Sequence, residues 1–90
     1  MLEFRAMASP NPTRGASVLR FATTQTGYLK VRLFDVCGRE VRTLMNERDA
    51  APGERTLDIA RATLRIEPGV YFYRVEAREG RLGGRLVMLD

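Results

Sequence analysis

The sequence predicts an all-β protein, an immunoglobulin-like antiparallel β-sandwich of about seven strands, and three observations predict it. Apolar and polar residues alternate with period two over short runs. Turn-forming residues interrupt those runs at intervals of about ten. No stretch sustains a helical period. The 90 residues make one domain, residues 1–90, and run little longer than seven strands need, which favours an open two-layer sandwich over a closed barrel. The Cys and Trp signature of antibody domains is absent, so any immunoglobulin likeness is one of architecture.

Leu2 to Ala6 alternates apolar and charged residues and suits an opening strand. Ser9-Pro10-Asn11-Pro12-Thr13-Arg14-Gly15 ends it, because two prolines in three residues remove ladder donors and fix φ. Ser17 to Thr24 reads as the second strand, with Leu19, Phe21 and Thr23 on one face and Val18, Arg20 and Ala22 on the other. After a Thr26-Gly27 turn, Tyr28 to Val36 gives the clearest strand. Leu29, Val31 and Leu33 point to a core and Tyr28, Lys30 and Arg32 to water.

Asp35-Val36-Cys37-Gly38 has the chemistry of a hairpin turn: Asp can accept from amides ahead of it, and Gly can take positive φ. Arg39 to Met45 returns as a strand with Val41 inward, and the polar Asn46 to Gly53, ending in Pro52-Gly53, reads as a loop. Glu54 to Ala60 alternates again, with Leu57 and Ile59 inward. Arg61 to Glu67 allows one helical turn before Pro68-Gly69 stops it. Gly69 to Arg78 is rich in aromatic and β-branched residues, with Tyr71 and Tyr73 on one face and Phe72 on the other. Glu79-Gly80 turns the chain into a closing strand, Arg81 to Leu89.

Composition excludes more functions than it suggests. A chain 44% hydrophobic and 29% charged has the balance of a folded globular protein rather than a disordered one. No stretch approaches the roughly 20 apolar residues of a membrane-spanning helix, so no integral membrane segment is expected. Met1 to Arg5 lacks the apolar core of a secretory signal, so an exported destination implies a signal on a longer parent chain. The net charge is +4, but the arginines are spread along the chain among Glu and Asp, and only Lys30 is lysine. Nucleic-acid binders concentrate basic residues beside stacking aromatics, so no nucleic-acid partner is expected.

Candidate chemistry is sparse. There is no His, the commonest general base and metal ligand, and no catalytic, metal or cofactor residue is assigned. Cys37, the single cysteine, has no disulfide partner and no His to activate it. Asp35 could meet Asp58 or Glu76 as a carboxylate pair, yet its place in the turn already accounts for it. Gly80-Arg81-Leu82-Gly83-Gly84 lacks the lysine and the following helix of a phosphate loop and is expected to be a strand bent or bulged by glycine. Tyr28, Tyr71, Phe72 and Tyr73 could form a sugar-binding platform if enough of them face water.

Several spaced features resemble the C-terminal sorting domain of type IX secretion, the Por secretion tail. They are Pro10-Asn11-Pro12 with Gly15, the Asp35-Val36-Cys37-Gly38-Arg39 turn, Pro52-Gly53, the Gly69-Val70-Tyr71 strand, and the closing Gly84-Arg85-Leu86-Val87-Met88-Leu89. The likeness runs from about Met7 to Asp90, and the immunoglobulin-like domain of the flagellar hook-capping protein shares its turn and its Gly-Val-Tyr strand. Arg85 stands where the family usually carries lysine near the last strand, which keeps the charge and changes its geometry.

The resemblance implies a non-catalytic label that follows a covalently linked N-terminal cargo. It implies recognition by the outer-membrane secretion machinery, removal by a sortase, and a cargo that passes the periplasm to the cell surface or the medium. On physical grounds the strand from Arg81 to Asp90, with Arg81, Arg85, Leu86, Val87, Met88 and Leu89, is expected to be the recognised surface, since the last strand of a sandwich can present edge groups to a receptor. The alternative is that it merely completes the sheet. An end at Asp90, straight after the apolar strand, fits a label better than a domain with sequence following it. The alternatives are an assembly or spacer domain of the hook-cap type, and a carbohydrate-binding module.

Overall fold

A computed structural model describes residues 2–90. Two antiparallel sheets pack face to face. The first holds β1 (Arg5–Ser9), β2 (Ala16–Thr23) and β5 (Gly53–Ala60) in the order β1-β2-β5. The second holds β3 (Gly27–Asp35), β4 (Glu40–Ala50), β6 (Gly69–Ala77) and β7 (Gly80–Met88) in the order β4-β3-β6-β7. One short helical turn, α1 (Arg61–Leu64), links β5 to β6. This is the expected seven-stranded sandwich. Its β4 joins the second sheet, unlike the constant-type immunoglobulin order.

The core is the product of the alternation. Leu19 and Phe21 from β2 and Ile59 from β5 face Leu29, Val31 and Leu33 from β3, Tyr71, Tyr73 and Val75 from β6, and Leu86 and Met88 from β7. Leu57 and Val41 pack at its margin. Ala22 has no exposure although it lies on the outer face of β2. Its neighbours across the sheet are Arg5 and Glu54, whose ion pair at 2.5 Å spans it.

Three expectations need correction. The opening strand is Arg5–Ser9 rather than Leu2 to Ala6, because β1 takes its register from β2, with Ser9 opposite Val18. Asn46 to Ala50 is strand, not loop: Gly27 pairs with Ala50 and Leu29 with Glu47, and register shifts let polar residues continue the edge. No bulge interrupts β7, which pairs residue for residue with β6 from Gly80 to Met88.

Gly84 is there for a different reason. A Cβ at this position would run into the Tyr73 hydroxyl and ring, so the phenol occupies the space a side chain would take. Of the two faces of β6, one of which had to be core, it is the Tyr71 and Tyr73 face that is buried, at 8% and 7% exposure, so these two form no sugar platform. Burial pushes the Tyr73 phenol above its ordinary pKa, partly offset by a hydrogen bond with the Ala8 backbone.

Gly84→Ala is therefore expected to destabilise the domain by about 1–3 kcal/mol through overpacking. Chemical denaturation monitored by circular dichroism measures it. A loss below about 0.5 kcal/mol would mean that the Tyr73 ring moves aside freely.

Candidate functional site

The motif residues resolve into four local devices. At the β3–β4 turn, Asp35 Oδ1 accepts from the amides of Cys37 (2.9 Å) and Arg39 (3.0 Å), and Oδ2 from Arg39 Nε (3.0 Å). Gly38 closes the turn at φ 82°, a value that favours glycine, and donates its amide to the Asp35 carbonyl. The Arg39 amide, followed by the Cys37 amide and the Arg39 charge, holds the Asp35 carboxyl below its ordinary 3.8 against a smaller desolvation effect. Cys37 itself is exposed. Asp35 meets neither carboxylate considered with it: Glu76 lies opposite Lys30 along β3, and Asp58 belongs to the other sheet.

Gly69 and Tyr71 open β6, and the Tyr71 hydroxyl donates to the Glu67 carbonyl at 2.5 Å. A strand tyrosine bonding to the backbone four residues upstream has the form of a tyrosine corner, so this motif positions the strand rather than a ligand.

Pro10 to Gly15 does more than end β1. The segment crosses to the other sheet and lies along the outer edge of β7. Asn11 Nδ2 donates to the Arg85 carbonyl (2.6 Å), and its Oδ1 accepts from the Val87 amide (3.0 Å). Thr13 donates its amide to the Val87 carbonyl (2.9 Å) and accepts from the Leu89 amide (2.7 Å), forming a parallel bridge with Met88. The Asn11 side chain thus substitutes for a strand residue. The peptide bonds preceding Pro10 and Pro12 are both cis, and the Gly15 carbonyl accepts from the Arg61 amide.

The closing strand divides by face. Leu86 and Met88 are buried, which removes their side chains from any surface a partner could touch in the folded domain. Arg81 and Arg85 are exposed on the outer face, Val87 is half-buried there, and Leu89 is 39% exposed just beyond the strand.

Sequence reasoning missed the groove beside them. Across β3, β6 and β7 it is lined by Phe34, Phe72, Arg74, Gly83 and Arg85, with a volume of about 470 Å³. Phe34 lies opposite Phe72, Phe72 opposite Arg85, and Arg74 opposite Gly83. The guanidinium of Arg74 sits 4.5 Å from the Phe34 ring centroid and that of Arg32 sits 5.1 Å from it. Arg32 is paired with Glu76 and Glu40, the hydrogen bond to Glu76 being the main reason its pKa is raised. Among the described residues, Arg74, Arg81 and Arg85 have no carboxylate within ion-pair distance. The available sequence signal was Phe34, an aromatic at an outward position among Tyr28, Lys30 and Arg32.

The family described as secretion system C-terminal sorting domain matches residues 8–88. No curated protein matches the chain.

Asn11→Ala is expected to cost about 1–2 kcal/mol by removing two cross-sheet bonds, and to free an edge for self-association. Denaturation and analytical ultracentrifugation check both effects. Asp35, Glu40 and Glu79 all have lowered pKa values, so their stabilisation is present above the unfolded values and lost as pH falls through the folded ones. The melting temperature is expected to decline below about pH 4, and less steeply in Asp35→Asn, in a pH series of melts.

Proposed function

The chain belongs to the secretion system C-terminal sorting domain family, which directs type IX export, and from that membership we propose how its fold is read. The domain is a non-catalytic label that interacts with the secretion machinery while attached to an N-terminal cargo. That cargo is secreted or displayed on the cell surface. The label is read as a folded object, through the outer face of β7 around Arg81 and Arg85. A sortase then cuts ahead of β1, where Leu2 and Glu3 are exposed outside any strand.

The observation that carries this reading is the division of labour within β7. Its inward residues Leu86 and Met88 hold the core together. Its outward arginines have no ion-pair partner among the described residues and stabilise nothing visible in the fold. Charged side chains that the fold does not use are available to a partner, where they govern encounter and specificity. The remaining motif residues are occupied by turns, the tyrosine corner and the edge strap.

Deleting Arg85 to Asp90 is a poor test, because loss of buried Leu86 and Met88 would cost about 2–5 kcal/mol for each side chain and unfold the domain. Substituting the outward residues avoids that. A cargo fused ahead of this domain, behind an export leader, is followed in a bacterium with type IX secretion. Arg81→Glu with Arg85→Glu is expected to leave the melting temperature within about 3 °C of the parent, while surface and medium cargo falls about tenfold or more. Undiminished export by the folded double variant would overturn β7 as the recognised face.

A further inference from the structure

The edge of β7 is closed over only part of its length. In an antiparallel ladder the backbone groups of alternate residues point away from the neighbouring strand. The Arg85 carbonyl, both backbone groups of Val87 and the Leu89 amide face outward and are taken by Asn11 and Thr13. By the same alternation the amides and carbonyls of Arg81 and Gly83, and the Arg85 amide, face the same side. No backbone group bonds to them from beyond the sheet among the described residues. The strap therefore leaves a short window, the backbone groups of Arg81 to Arg85, unpaired, with β1 of the first sheet lying close to β7 without bonding to it. Unpaired edges of this kind accept an added strand.

The side chains around the window point to the chemistry of that strand. Arg81 and Arg85 stand at its two ends on the outer face, about 13 Å apart at ordinary strand rise. Gly83 between them presents no side chain beside the exposed Phe72, while the Phe34 ring lies under the Arg74 and Arg32 guanidinium groups. Arg74 lies across from Gly83. The local carboxylates are already committed, Asp35 to Arg39 and Glu76 to Arg32.

We propose that this window binds an extended peptide segment of the pattern acidic–x–apolar–x–acidic, added antiparallel or parallel to β7. Its carboxylates meet Arg81 and Arg85, and its central apolar side chain enters the gap over Gly83 against Phe72. The backbone window favours a peptide over a phosphate or a membrane surface, since neither of those uses a row of unpaired amides and carbonyls. The inference rests on the reading of β7 as the recognised face and names the kind of segment a receptor would offer it.

The probe is a fluorescent nonapeptide, Thr-Thr-Glu-Val-Leu-Val-Glu-Thr-Thr, titrated into the intact 90-residue domain by anisotropy and by amide NMR. Saturable binding is expected, with the largest amide shifts at Arg81, Gly83 and Arg85. Replacing both Glu by Gln, or making Arg81→Glu with Arg85→Glu in a domain that melts normally, should weaken it about tenfold or more. N-methylating alternate peptide amides on the face that meets β7 should abolish it while leaving the charge untouched.

Absence of saturable binding would overturn the proposal. Equal binding of the N-methylated peptide would overturn it in favour of charge attraction alone. Displacement of the peptide by inorganic phosphate, or equal shifts from anionic phospholipid vesicles, would reduce the window to an anion site. The export test separates this inference from the reading beneath it. If the peptide fails but the double variant still loses export, the face stands and the peptide chemistry falls. If the peptide binds and export is unchanged, the window binds strands but the machinery does not read it.

Discussion

The contact on which the rest of this domain depends is the strap from Pro10 to Thr13 along the outer edge of β7. A small sandwich has exposed sheet edges and little core with which to tolerate mispairing. Here the Asn11 amide supplies a donor and an acceptor to the outward groups of Arg85 and Val87, and Thr13 continues the pairing to Leu89. The strap joins the first sheet to the far edge of the second and terminates the free edge at Arg85. On the opposite side of the sandwich Arg55 from β5 meets Glu47 from β4 at 2.8 Å, a second tie between the sheets. That pair is half-exposed, so it orients the strands more than it stabilises them.

Fold and surface use different subsets of the same strands. Inward positions of β6 and β7 carry Tyr71, Tyr73, Val75, Leu86 and Met88, and their packing admits little change, as the Tyr73 ring over Gly84 illustrates. Outward positions carry Phe72, Arg74, Arg81 and Arg85, which the interior does not constrain. This separation leaves the outward positions free to vary without loss of stability, because they do not hold the core.

Legibility followed the range of the interaction concerned. The Asp35 turn was readable because all its partners lie within four residues. The burial of Leu29, Val31 and Leu33 was readable because alternation is local. Asn46 to Ala50 is not legible as a strand because an edge strand can be polar along its length, its order coming from backbone bonds to β3 rather than from its side chains. The starting residue of β1 is not legible for a related reason, since strand register belongs to the pair and not to either strand alone.

The sequence by itself determined the sandwich, the alternation that sorts core from surface, and the turns that fold each hairpin, because these depend on residues near one another in the chain. Only the tertiary structure decided what Asn11 is for, since its partners Arg85 and Val87 lie 74 and 76 residues away. It also decided why Gly84 must be small, by laying a tyrosine from the neighbouring strand over it. The open window at Arg81 to Arg85 belongs to the same class. An unpaired edge is defined by which backbone groups remain unmatched once every strand is in place, and no local pattern of side chains encodes that.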